Sequence, residues 1–132
     1  YKNHTIYFGG VSAYCSHYSE IADRYPTIDI ALLPIGPVSM RHLIAEEHVD
    51  AIEAGKAFLD LNAKHFVPMH WGTYPLAAES IDAPVKQLQN WWKENKTELE
   101  NKTLHTPKCG ECKTFCETTP TQLRIDSDEI QK

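Results

Sequence analysis

Three stretches of the chain carry residue types that could do chemistry. In His70-Trp71-Gly72-Thr73 an imidazole follows directly on a short apolar run. A histidine there can ligate a metal, or it can simply hydrogen-bond within its own turn. His48 comes after Glu46 and Glu47, just ahead of a helix start, and suits either proton transfer or plain solvation. Arg41 lies in the same stretch, and its planar fork could orient a phosphate or a carboxylate. Near the C-terminus, His105-x3-Cys109-x2-Cys112-x3-Cys116 gathers four soft ligands. That spacing could form a zinc knuckle, and with it a small interaction domain. The segment Pro107-Lys108-Cys109-Gly110-Glu111 also reads as a turn, and a single CxxC is a weak signal. The three tail cysteines are therefore expected to be reduced and metal-free. His4, His17 and His65 are expected at the surface or a sheet edge.

The elements that position these residues follow from local pattern. Thr5-Ile6-Tyr7-Phe8 reads as a strand entering a tight turn at Gly9-Gly10. Ser16 can cap a helix running to about Tyr25, where Pro26 stops it. The nearly continuous apolar run Ile28–Leu33 predicts a strand covered on both faces. Residues 34–47 lack a period and read as a long loop, which in a compact domain tends to be functional. Asp50-x-x-Glu53 is a carboxylate capping box for a helix through Ala63. His65–Met69 is a strand whose Pro68 argues for an edge or a strand end. Pro84 opens a further helix to about Leu99, on which Trp91 and Trp92 supply packing plus one exposed ring. In the tail, Thr-Leu, Thr-Phe and Gln-Leu-Arg-Ile patches suit short strands, and residues 127–132 are expected to be a disordered tail. Strands alternating with helices predict an α/β fold, and ligands collect at the C-terminal ends of such strands. Gly9–Cys15, Pro34–His48 and His70–Thr73 all fall there.

Composition bounds the function. The 132 residues carry a net charge of −5, which argues against nucleic acid as a partner. No apolar run approaches the roughly 20 residues of a transmembrane segment. The chain opens on Tyr1 without a basic and apolar leader, so something upstream is expected to be missing, no signal peptide is expected, and a cytoplasmic location is.

In order and spacing these stretches resemble the metallo-β-lactamase superfamily, and within it the N-acyl-phosphatidylethanolamine phospholipase D-like branch. That branch carries F-x-G-D-[ST]-G-Y-C, L-P-I-G, P-R-W-F-M-x-x-x-H-V and H-W-G-T. The counterparts here are Phe8–Cys15, Leu33–Gly36, Met40–Ile44 with His48-Val49, and His70–Thr73. The likeness covers roughly residues 5–90.

The resemblance implies half of an αβ/βα sandwich, a mixed β-sheet with helices on its outer face, occupying residues 1–126. It implies a zinc-dependent hydrolase, acting as a phosphodiesterase or lactonase on a small-molecule or lipid-like anionic substrate. His70 falls on a metal-ligand histidine, His48 on the active-site histidine, and Arg41 and Trp71 at substrate-contacting positions. Nothing carries over onto His42, which stands where the branch has Trp. Two departures bear on activity. The metal-bridging aspartate position is Val11, and no H-x-H-x-D-H motif occurs anywhere in the chain. A missing N-terminal half or a partner chain is therefore expected to complete the sandwich, and the chain as given should be catalytically impaired. The rival reading is a non-catalytic remnant or interaction module with the same fold.

Overall fold

The computed structural model describes residues 4–75 and 77–115. Strands β1 (Ile6–Phe8), β2 (Ile30–Pro34), β3 (His65–Met69) and β4 (Thr103–Leu104) form one sheet in chain order. Helix α1 (His17–Arg24) joins β1 to β2. Helices α2 (Arg41–Ile44) and α3 (Ala51–Asp60) join β2 to β3, and α4 (Ala83–Glu94) joins β3 to β4. The α/β class is as expected. The sheet expected to be mixed is parallel in all of its described pairings, because every connection is a helical crossover.

Chain-order strands with crossovers of one hand put every helix on the same face of the sheet. The covered face carries Ala31, Leu33 and Phe66, all fully buried, with Tyr7 and Leu104 packed beside them. Phe58 of α3 stacks on Phe66 with ring centroids 5.1 Å apart, and Trp92 of α4 lies 5.5 Å from Phe58. Both tryptophans of the pair therefore pack: Trp91 is buried and Trp92 lies partly buried against the core, so the expected exposed ring is not found. The opposite face presents the rows Ile6–Ile30–His65–Thr103 and Phe8–Leu32–Val67. There Ile6 is 50% and Phe8 66% exposed while Ile30 is buried, so this face is bare along β1.

Most boundaries sit close to their signals. Asp50 accepts from the backbone N–H groups of Ile52 (2.9 Å) and Glu53 (2.8 Å), and Glu53 accepts from Asp50 N at 3.3 Å, completing the capping box. Ser16 is the N-cap of α1, but its hydroxyl donates to Glu20 and accepts no bond from the helix backbone. Pro68 stands at the penultimate position of β3, past the last β3–β4 pair, where the ladder to β4 stops. The loop of residues 34–47 contains one short helix, α2, which no periodicity announced. Of the tail patches, Thr103-Leu104 is a strand and Thr114-Phe115 is not. Residues 122–125 and the tail of 127–132 lie outside the described residues. No helix among the described residues is long and apolar enough to cross a membrane.

Asp29, 8% exposed, locks the start of the sheet. It accepts from Thr5 N at 2.9 Å and from Lys64 Nζ at 2.8 Å. The Lys64 bond first, then the Thr5 bond, holds its carboxyl below the usual range. A depressed folded value means the stabilisation is present above the ordinary carboxylate pKa and is lost as pH falls through the folded one. Asp29→Ala should cost about 1–3 kcal/mol at neutral pH. Urea melts of the two proteins should converge on acidification; a gap that stays constant below pH ~3 would contradict this assignment.

Candidate functional site at the strand C-terminal ends

The turn after β1 lies at the same sheet edge as the site. Gly9 donates to Leu32 O at 2.8 Å, and a Cβ there would meet Leu33 and the Leu32 carbonyl at 3.1–3.2 Å. Gly10 follows with φ +60, a conformation glycine adopts freely. Ser12 Oγ donates to Gly9 O at 3.2 Å and lies 2.9 Å from the buried Tyr18 hydroxyl. Ser12 O accepts from Val49 N at 3.0 Å, which fastens this turn to the segment carrying His48.

The segments after β2 and β3 meet at the histidines. The His48 and His70 rings lie 5.7 Å apart, so the two residues share one site. A cavity of about 140 Å³ is lined by both, together with Pro37, Met40 and Ile44. A neighbouring space of about 260 Å³ is lined by His70, Trp71, Thr73 and Tyr74. His48 Nδ1 is buried and has no hydrogen-bond partner, an uncommon state for an imidazole nitrogen. Among the described residues Met40, Asn62, His70 and Asn101 are the non-glycines with positive φ. Asparagine accepts that conformation locally; Met40 (φ 64) and His70 (φ 62) do so against a strain of about 1–2 kcal/mol each. Both strained residues line the same cavity. Such strain persists only where the surrounding structure over-determines it, and it gathers at functional sites.

The other residues singled out above take different positions. The Arg41 guanidinium donates to His48 O and to Glu53, and its Nε lies 3.5 Å from Asp50. Its charge is thus matched by two carboxylates of the α3 cap, and it braces the His48 backbone. Trp71 spends its indole N–H on Pro68 O at 3.2 Å, leaving its ring as a wall beside His70. Val11 is 56% exposed in the turn after β1. His42 is exposed. Glu79 accepts from Val38 N (2.8 Å) and from the backbone and hydroxyl of Ser39, which pins the stretch after His70 to the loop before Met40. The Ser39 hydroxyl, above all, holds the Glu79 carboxyl below its ordinary range. Pro37 and Glu79 were not singled out from the sequence, and Met40 and Ile44 entered only as members of the Met40–Ile44 stretch, because loops give no period from which to choose residues.

Whether these residues fit a metal can be judged from the donors. The unpartnered His48 nitrogen and His70 are two imidazoles, whereas zinc sites take three or four ligands. The turn that would add a carboxylate offers Val11, and no group of three or more His, Cys, Asp or Glu among the described residues could hold an ion. These residues alone therefore do not make a metal site. In the tail, Cys109 and Cys112 are exposed free thiols, and Cys116 lies outside the described residues. His4 and His17 are peripheral, 3.6 Å from Asp29 and 2.8 Å from Cys15 Sγ respectively. His65, expected at a surface or edge, is partly exposed at the start of β3 and pairs with His105.

Comparison with known proteins agrees with this architecture. A family model described as a beta-lactamase superfamily domain matches residues 1–71, a span containing Val11, Arg41, His48 and His70. An uncharacterized protein of Mycobacterium tuberculosis is 34% identical over 94 residues, 65% of this chain and 23% of its own length. A metal-dependent hydrolase of Nitratidesulfovibrio vulgaris is 35% identical over 86 residues, 65% of this chain and 32% of that protein. N-acyl-phosphatidylethanolamine-hydrolyzing phospholipase D 1 of Caenorhabditis elegans is 23% identical over 111 residues, covering 83% of this chain and 31% of the relative. Among solved structures, a metallo hydrolase from the archaeon Ignicoccus hospitalis shares the fold with a TM-score of 0.56 at 20% identity, over 81% of this chain and 39% of that one. The chain thus spans 23–32% of the length of these curated relatives.

Proposed function

Because the chain belongs to the beta-lactamase superfamily, we propose that it forms the C-terminal portion of a metal-dependent hydrolase. The observation that carries this reading is the single cavity in which strained His70, strained Met40 and the unpartnered His48 nitrogen meet. In the completed protein His70 contributes one imidazole ligand, and zinc is the ion that suits such a donor. His48 holds or moves a proton at Nδ1, with its backbone fixed by Arg41. Arg41 is thereby a positioning residue, while Trp71 shapes the wall against which a small anionic or lipid-like ester would rest. The remaining ligands come from an N-terminal half that also covers the β1 side of the sheet, where Ile6 and Phe8 are exposed.

One observation favours a second reading, a non-catalytic remnant. Val11 cannot supply the carboxylate that two neighbouring metals need. Metal analysis decides between the two. A protein carrying this chain behind its N-terminal half should bind at least one zinc per chain. His70→Ala should weaken that binding by about tenfold or more, with the fold retained by circular dichroism. Absence of bound zinc with His70 intact would leave the remnant as the correct description.

A further inference from the structure

A second pair of histidines lies at the other end of β3. His65 is its first residue, and His70 follows its last, so the two positions are separated by roughly 17 Å of extended chain. His105, one residue beyond β4, continues the ladder by donating its N–H to Phe66 O at 2.8 Å. This places its ring beside that of His65, on the sheet face opposite the helices. His65 Nδ1 and His105 Nε2 are 3.1 Å apart, and Phe115 packs against both rings, with centroids 5.4 and 4.8 Å away.

We propose that His65 and His105 form a two-histidine chelate for a borderline divalent cation such as Cu²⁺, Ni²⁺ or Zn²⁺, separate from the His48–His70 site. The spacing is the first argument. Metal–imidazole bonds of about 2.0–2.1 Å at a right or tetrahedral angle hold their two nitrogens roughly 3 Å apart, close to what the uncomplexed pair already shows. The second argument is pre-organisation. Both backbones are fixed in the ladder and Phe115 closes one side, so little side-chain freedom remains to be lost on binding. The third is protonation. Burial first, then the charges of His65 and Lys113, push the His105 pKa down, leaving its ring neutral and able to donate. In the free pair one ring N–H bridges the two nitrogens. Binding moves that proton to the other nitrogen of the same ring, and both lone pairs then face the ion with no net proton released. Two donors give a weaker hold than a structural zinc site, water supplies the remaining positions, and copper should rank first.

The test uses the 132-residue chain and Cu²⁺ added below one equivalent, followed on the histidine Cε1–H resonances by NMR. The His65 and His105 signals should broaden together, and they should do so equally in His70→Gln. Competition titration with a chelator should show His105→Gln weakening this binding at least tenfold, with His42→Gln unchanged. The wild-type spectrum needs no variant to fold, so it decides alone. Sharp His65 and His105 signals while other histidines broaden would overturn the proposal, as would an unchanged affinity in a folded His105→Gln.

Discussion

Replacing Val11 by aspartate is expected to raise hydrolysis of a generic phosphodiester by about 100-fold or more, equivalent to about 2.7 kcal/mol of barrier, once the N-terminal half is present. Val11 is 56% exposed, so the exchange removes no core packing. Its turn is fastened to the segment after His48 through the Val49–Ser12 bond, so a carboxylate there would stand on a turn held next to that histidine. Two cations about 4 Å apart repel by roughly 4 kcal/mol per unit-charge product at an effective dielectric near 20. A bridging carboxylate offsets that repulsion, and isopropyl methyls cannot. The parent chain should therefore hold fewer metal equivalents than its Val11→Asp variant. Should the parent already hold two zincs and turn over at the same rate, the alignment of this turn with the family's metal-bridging motif is wrong.

What could be read from sequence was whatever is encoded locally. The Asp50–Glu53 box spans one helical turn, and it appears where expected with both of its reciprocal bonds. Pro84 in the first turn of α4 and the apolar run of β2 are local in the same sense. The convergence of Gly9–Cys15, Met40–His48 and His70–Thr73 was also legible, because parallel strands gather the segments after them at one end. Contacts between residues distant in sequence were not. Arg41 carries a free-looking guanidinium until the loop folds back and sets it against Glu53, twelve residues on. His65 and His105, forty positions apart, become a pair only when β4 adds to β3. The four-residue α2 follows from neither propensity nor period, since Met40 at φ 64 starts it and tertiary packing holds it.

The packing of α3 against α4 should be the most sensitive point in the core. Gly55 lies in the middle of α3, where glycine costs about 1 kcal/mol relative to alanine, so its presence calls for a steric reason. A Cβ at Gly55 would stand 2.5, 2.6 and 2.8 Å from three ring atoms of Trp91. Real Cβ atoms do not approach so closely, and the obstacle is a rigid ring only 9% exposed, with fully buried Leu88 on the same helix. Gly55→Ala gains helix propensity but overpacks the crossing, for a net loss of about 1–2 kcal/mol. Gly55→Val adds two methyls and a stiff χ1, so roughly 3 kcal/mol or more should be lost, a large share of a small domain's stability. Urea denaturation measures both, and pairing Gly55→Ala with Trp91→Leu should recover part of the loss, because the clash is between those two residues. A Gly55→Ala protein at least as stable as the parent would show that the helices can part without penalty. The consequence reaches the site as well. Asp50 at the start of α3 helps hold Arg41, which holds His48, so a displaced α3 should loosen the His48–His70 geometry before the sheet itself gives way.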